Sequence, residues 1–534
     1  MIDSAALQSR LVAACGELGG ASPRPYVGQG VEGEVVINVA PDALPQVVQT
    51  LRREFRAIFV DLFGLDLRPE KQGFRLTLIF SLDEEENWLY VHADLDADAP
   101  QFSSLVEALP AADWYERVVW EELGVTPREH PLLAGLRLAP DWPEGVYPQR
   151  QDFRWQQQVQ GVEPRYFELA PAPEGIVDYP LGPVRSGVVE SGHYLLRTAG
   201  EELVDMRLQL FYKHRGIEKR AEGVALEHLP LIAERISGTS AFAHSLTLCQ
   251  ALERAAAVDV PPRARFLRTL LAELERLYNH LGFQADLCQA TGLAVAQAQF
   301  DILKERVLRL NARLAGHRYL FGMNVPGGLS RDFDEQSLQA VRELVTVLRR
   351  DMETLSRLLL ASASHRDRLE GTGILKPEDA QAYCAVGPIG RASGVDRDLR
   401  RDHPYAAYAE VDFAVPVLET GDAMARTQIR LDETMQSLHI ITQILGSLPG
   451  GAVYVPLEQL PAGKAALGWA ESPRGECLHW LLVGEDGTLR RYRVRTASFA
   501  NWQAFSLAIP GHNILTDFPV IEQSFGLSFA GADC

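Results

Sequence analysis

Six cysteines (Cys15, Cys249, Cys288, Cys384, Cys477 and Cys534) are the residues here best suited to holding a transition metal. Their spacing does not cluster them. Thiolates build a local metal site or a disulfide framework when they recur at short intervals, and no C-x-x-C pair occurs anywhere. Scattered single thiols fit a reducing compartment. A second candidate is Gly28-Gln29-Gly30-Val31-Glu32-Gly33, formally a G-x-G-x-x-G. A dinucleotide cradle needs that motif after a strand and at the start of a helix, whose N-terminus takes the phosphate. Here it follows a Pro-rich stretch and precedes Glu34-Val35-Val36-Ile37-Asn38-Val39, a strand pattern, so it reads as a turn. A third is the segment from Glu234 to Ser245, in which Ser237 and Ser240 stand three residues apart and His244 follows one turn later. Serine hydroxyls are hard and protonated at neutral pH, and they make poor ligands for soft metals.

The elements that must position these residues follow from patterning. At 534 residues the chain is long enough for two or three domains. A net charge of -19 argues against a general nucleic-acid binder, because the phosphate backbone would repel it. There is no run of 18 apolar residues and no basic, apolar-cored start, so neither membrane spanning nor export is expected. The overall expectation is an α+β protein. Residues 1–25 open with a short helix and break at Gly19-Gly20-Ala21-Ser22-Pro23. Strands are predicted at 34–39, 56–63, 74–81 and 87–93, with helices from Pro41 to Phe55 and near 102–109. A polar, Pro-containing linker covers 151–178. Beyond it the pattern turns helical, clearest at Arg265 to Leu281, where Phe266, Leu267, Leu270, Leu271, Leu274, Leu277 and Leu281 recur with a period near 3.6 and Arg and Glu take the other face. Further helices are expected at 298–315, 334–361, 376–383 and 420–446. A hairpin of 477–483 with 488–495 turns through Gly484-Glu485-Asp486-Gly487.

Two resemblances add to this reading. The text Asp113-Trp114-Tyr115-Glu116-Arg117 through Leu123-Gly124-Val125, then His130-Pro131-Leu132-Leu133, Asp141-Trp142-Pro143 and Tyr147-Pro148 resembles the C-type subunit of bacterial NADH:quinone oxidoreductase (complex I) and the matching part of formate-hydrogenlyase-type hydrogenases. It implies a docking domain without a cofactor over 1–150. The segments His214-Arg215-Gly216-Ile217-Glu218-Lys219, Glu234-Arg235-Ile236, Phe242-Ala243-His244-Ser245, Glu471-Ser472-Pro473-Arg474-Gly475-Glu476 and Asp517-Phe518-Pro519 are similar to the large subunit of group 4 nickel–iron hydrogenases and to the D-type subunit of complex I. They imply a large, mainly helical domain with β-rich ends over 179–534.

In the hydrogenases four thiolates hold the nickel–iron centre. The matching positions here are Ser237, Ser240, Ser528 and Gly531, so no such centre is expected and no metal or cofactor is assigned to this chain. In the D-type subunit a histidine and a tyrosine contact the quinone head group. The corresponding region here offers Arg185 with His193 nearby, and Thr239 in place of tyrosine, as a possible acceptor cavity. Glu218 matches the glutamate that starts the hydrogenase proton path, and Arg474 matches the arginine over the metal. With His244 they form either a proton relay or, for Glu218 and Arg474, a retained buried ion pair. On a long helix, Arg426, Arg430, Asp432 and Glu433 read as surface or inter-helix pairs, and Arg397 to Asp402 as a subunit interface. His130 and His228 read as structural, and Cys534 as an incidental thiol at a mobile end.

The resemblance implies a peripheral subunit at the cytoplasmic face of the cell membrane. Its partners would be an iron–sulfur small subunit bearing the cluster, a ferredoxin-like subunit and antiporter-like membrane subunits. Electron transfer would be NADH- or ferredoxin-linked, with a quinone-type acceptor and coupled ion translocation. NAD itself would be bound elsewhere in the assembly. The alternative is an architectural subunit that keeps the fold and does no chemistry.

Overall fold

The computed structural model describes residues 4–16, 24–25, 34–164, 171–185 and 190–534. The G-x-G-x-x-G stretch and the Gly19 to Pro23 break lie outside the described residues. Strict alternation makes Glu34–Asn38 a strand with Val35 and Ile37 turned to the core. It joins Ile58–Asp66, Phe74–Leu82 and Asn87–Leu95 in one sheet, antiparallel except where Glu34–Asn38 runs parallel to Asn87–Leu95. The helix Leu44–Glu54 buries Leu44, Val47, Val48 and Leu51 against it. The helix expected near 102–109 does not form. Gln101–Ser103 is a short strand paired with Thr126–Arg128, and the chain then passes through Pro110–Ala112, a single 3-10 turn, into the helix Asp113–Leu123. Phe102, Leu105 and Leu109 are fully buried but stand on no common helical face.

The second half is built around the helix Pro262–Ala290. Its leucine stripe is buried as expected, yet Arg268, Glu273, Glu275 and Arg276 on the opposite side are buried too. This helix is therefore covered all round, and its charges are matched by partners from distant segments. Ala294–Ala315, Glu335–Leu360 and Ala423–Ser447 complete the bundle. The strands Ala465–Ser472, Gly475–Val483 and Leu489–Arg495 form an antiparallel sheet lying on the helix Ala241–Ala255. Gly468 permits that contact, since a Cβ there would stand 2.0 Å from the Thr247 carbonyl oxygen. Among the described residues no helix is long and apolar enough to cross a membrane.

The two halves share two large hydrophobic clusters, each built from residues of both. Phe63 meets Trp480 at 4.9 Å between ring centroids, and Trp88 stacks on His403 at 4.4 Å. Each such aromatic pair adds about 0.5–1.5 kcal/mol beyond area burial. Asp61 forks onto Arg493 at 2.7 and 2.9 Å, fixing the N-terminal sheet against the last strand of the C-terminal one.

Candidate functional site

Two loops bring the emptied ligand positions together. Ser237 and Ser240 flank a 3-10 turn leading into the helix Ala241–Ala255, and Ser528 caps the short helix Phe529–Asp533 by accepting from the Gly531 amide at 3.0 Å. Ser237 Oγ and Ser528 Oγ lie 3.4 Å apart, within reach of one hydrogen bond. The remaining space is a cavity of about 10 Å³, room for roughly one water. At the fourth position a Cβ on Gly531 would stand 3.3 Å from Ser528 Cβ, so any side chain there would crowd its neighbour. Two metals bridged by thiolates fit neither this donor set nor this space.

Glu218 and Arg474 are not partners. Glu218 is buried and faces three arginines: Arg491 at 3.0 Å, Arg493 at 3.2 Å and Arg137 at 4.0 Å, with the Val494 amide at 3.3 Å. Burial alone would raise its pKa, but Arg493, Arg491 and Arg137 outweigh it and hold the carboxyl well below the usual range. A carboxylate so held does not exchange protons near neutrality. Arg474 instead donates to Gly526 O, Thr239 Oγ1, Ser240 Oγ and Asn279 Oδ1, at 2.9–3.2 Å. His244 and Arg474 line the small cavity and Glu218 does not. The expected three-residue relay is thus split between two places.

Those observations meet an independent one. The family model for the 49 Kd subunit of respiratory-chain NADH dehydrogenase matches residues 297–465, and that for the 30 Kd subunit matches 37–159. Formate hydrogenlyase subunit 5 of Escherichia coli is 32% identical over 94% of this chain and 89% of its own length. The C/D subunit of NADH-quinone oxidoreductase from Gluconacetobacter diazotrophicus is 26% identical over 93% and 91%. A chain from the archaeal membrane-bound sulfane sulfur reductase, described as a respiratory membrane complex, superposes with a TM-score of 0.64 at 27% identity, over 68% of this chain and all of that one.

The chain belongs to the fused C/D family of complex I and hydrogenase large subunits.

Within that family frame, the acceptor positions read from sequence separate. Arg185 pairs with Glu522 and lies over the Tyr194 ring, and His193 sits in the adjoining strand with its pKa lowered by burial. Thr239 alone among them lines a second, larger cavity of about 170 Å³. That cavity lies beside the closed frame and shares Arg474 with it; Tyr278, Phe283, Lys304 and Arg430 also line it. Tyr278 Oη donates to Thr239 O at 2.9 Å, which fixes the shared rim.

Of the charges read as surface or inter-helix pairs, Glu433 does pair across helices, Asp432 accepts from Gln428 on its own helix at 2.8 Å, and Arg426 and Arg430 are interior. Arg426 and Arg430 are buried and donate to carbonyls, and Glu433 accepts from Arg391 at 2.7 Å and from His280 at 2.8 Å. Asp398 and Arg400 pair at 2.7 Å inside the same network, with Glu273 and Glu471 completing it, so these two serve internal packing, while Arg401 in the stretch read as a subunit interface is exposed. Arg397 crosses to Asp83 of the N-terminal sheet. His130 lies beside Asp113 at 3.3 Å, while His228 is exposed. Cys534 is buried at 2% exposure, its carbonyl accepting from the Arg215 amide, so the C-terminus is anchored.

One group escaped the sequence reading. Cys477 and His479 point the same way from one strand and meet His244, with three ligand-type atoms all within 4.8 Å of one another. His244 Nδ1 is 3.1 Å from His479 Nε2 and 3.3 Å from Cys477 Sγ, and His479 Nδ1 is 2.6 Å from Tyr492 Oη. Burial keeps the thiol protonated and takes both imidazoles below their ordinary pKa, His244 to about 3. Protons bridging Tyr492, His479 and His244 account for these short contacts as a hydrogen-bonded chain. The C-x-H spacing on a predicted strand was the available signal.

Proposed function

We propose that this chain is the C/D-type subunit of a complex I-like or hydrogenase-related respiratory membrane assembly, passing electrons to an acceptor without a nickel–iron centre. The observation that supports this is the pairing of a closed ligand frame, with Ser237 and Ser528 in hydrogen-bond reach, and an open cavity beside it that shares Arg474. A relative that lost its metal and did nothing else would have no reason to keep a 170 Å³ cavity at that edge. Electrons would arrive from the cluster of an iron–sulfur small subunit seated over Ser237, Ser240 and Ser528. Ferredoxin-like and antiporter-like membrane subunits would complete the assembly at the cytoplasmic face, coupling transfer to ion movement. The acceptor would be reduced in the Thr239 and Arg474 cavity.

The test is purification of the assembly from its host membrane, identification of its subunits, and assay with a soluble quinone and with a sulfane-sulfur compound. Co-purification of an iron–sulfur subunit with antiporter-like subunits, and reduction of either acceptor that falls in Arg474→Gln, supports the reading. An intact assembly whose turnover is unchanged by Arg474→Gln leaves the architectural role in its place.

A further inference from the structure

Buried arginines in this protein are, as a rule, matched by carboxylates. Arg268 holds Glu253 at 2.7 Å, Arg391 holds Glu433 at 2.7 Å, Arg400 holds Asp398 at 2.7 Å and Arg493 holds Asp61 at 2.7 Å. Three arginines depart from it: Arg426, which donates to the carbonyls of Gly421 and Gly373 and to Ser524 Oγ and lines neither cavity, and two that face the same cavity, Arg430 and the part-buried Arg474. Arg430, 3% exposed, donates only to the carbonyls of Arg426, Ser524 and Phe525 and lies 3.8 Å over the Phe283 ring. Arg474 donates to a carbonyl, two hydroxyls and an amide oxygen, and its Nη2 has no hydrogen-bond partner among the described residues. Neither forms an ion pair with a described carboxylate, and both line the 170 Å³ cavity.

Burying a guanidinium without a counter-charge costs several kcal/mol, and neutral acceptors recover only part of it. Consistent with that cost, burial pulls Arg430 down to about 9, and Arg474 is lowered for the same reason. Both remain cations at neutral pH. Of the other charges on the wall, Lys304 adds a cation paired with Asp301 at 2.8 Å, and Asp286 is a single carboxylate that offsets part of the charge through Arg474 and Lys304 without forming an ion pair with either. The cavity therefore carries net positive charge in a partly desolvated setting, with one guanidinium face open.

We infer that this cavity binds a small anion, a carboxylate or an oxoanion of similar size, with the Arg474 fork as its principal contact. Arg430 supplies field from the floor, and Tyr278 and Thr239 shape the rim. The inference rests on the proposed function only in taking the cavity as the working site, and it sets the acceptor's chemistry there: an acceptor that is anionic, or becomes so on reduction, is favoured over one that stays neutral.

Calorimetric titration of the purified full chain with acetate, and separately with inorganic phosphate, tests this in a buffer free of both. Saturable binding with a dissociation constant of about 1 mM or tighter is expected for at least one probe. Arg474→Gln should weaken it at least tenfold. Arg474→Lys, which keeps the charge but loses the fork, should fall between the two, with melting curves confirming that each variant is folded. No saturable heat with either probe, or equal affinity in wild type and Arg474→Gln, overturns the inference. Acceptor turnover is measured on the assembly and anion binding on the isolated chain, so the two fail separately.

Discussion

Ser237 Oγ and Ser528 Oγ approach to 3.4 Å, joining the loop that leads into Ala241–Ala255 to the loop before the last helix. That contact, with Ser528 also capping the final helix, joins two of the positions that the resemblance aligns with the hydrogenase metal ligands. Nickel in the purified, intact assembly is expected at background by plasma mass spectrometry. Nickel stoichiometric with this chain would refute the closed-frame reading.

The same contact predicts a stability effect. Ser528→Ala removes the cap on Phe529–Asp533, and such caps contribute about 1 kcal/mol. A lower denaturation midpoint is expected, accompanied by earlier proteolysis at the C-terminus, because Cys534 and Asp533 tie that helix to Phe211, Lys213 and Arg215. An unchanged midpoint would mean that the helix is held by its other contacts alone.

Glu218→Gln tests whether this carboxylate is a proton carrier or a counter-ion. Surrounded by Arg491, Arg493 and Arg137, it balances buried positive charge, and removing its charge should destabilise the fold by about 3–5 kcal/mol. The pH dependence follows the same logic. Its folded pKa lies below the ordinary 4.5, so the unfolded chain takes up the proton first and stability is lost as pH falls below about 4.5. The variant should lack that contribution to acid sensitivity. A variant with wild-type stability and reduced turnover would restore the relay role.

Much of this was open to a reader of the sequence. The leucine stripe at 266–281, the strand alternation at 34–39 and the turn chemistry of Gly484 to Gly487 each fix a local structure, because their causes lie within a few residues. The missing thiolates were equally plain. What stayed hidden was pairing at a distance: Glu218 meets arginines more than 270 residues later, and Arg391 gathers Glu433, Asp398 and Glu471 from separate segments. Charges at i, i+4 spacing on a helix look like a solvated face, and nothing local tells Arg430 that it will lie under Phe283. The Leu105 region failed for the converse reason. Its apolar residues suited a helix, but packing below Asp113–Leu123 demanded a tight turn.

Buried neutral histidines should make their own contribution to the mild-acid behaviour. His92 and His244 are taken down to about 3 and His365 to about 4, burial being the first cause in each. In the unfolded chain these groups protonate near 6.5, so there the unfolded state binds more protons and stability falls as pH drops below about 6.5. Burial raises the carboxyls of Glu116 and Glu234 to about 7 and Glu275 to about 8, and these work in the opposite direction over the same window, so the histidine contribution is read as a difference. Denaturant midpoints of wild type and His365→Gln measured from pH 8 to pH 5 should diverge below about 6.5, with the wild type losing stability relative to the variant. Parallel curves would show that His365 takes up its proton equally in both states.

Asp61 and Arg493 carry a buried contact between the two halves, 2% and 1% exposed. Among the described residues, Asp61→Ala leaves the guanidinium with Glu218 as its only remaining carboxylate, already shared with Arg491 and Arg137. A loss of about 3–5 kcal/mol is expected. Because Phe63, Trp88 and Trp480 bury apolar surface at the same junction, the halves should still unfold together, in one transition at a lower temperature. Differential scanning calorimetry distinguishes the outcomes. A single shifted peak fits a shared core held by an ion pair, whereas two separated peaks would show that the Asp61 fork was what made the halves cooperative.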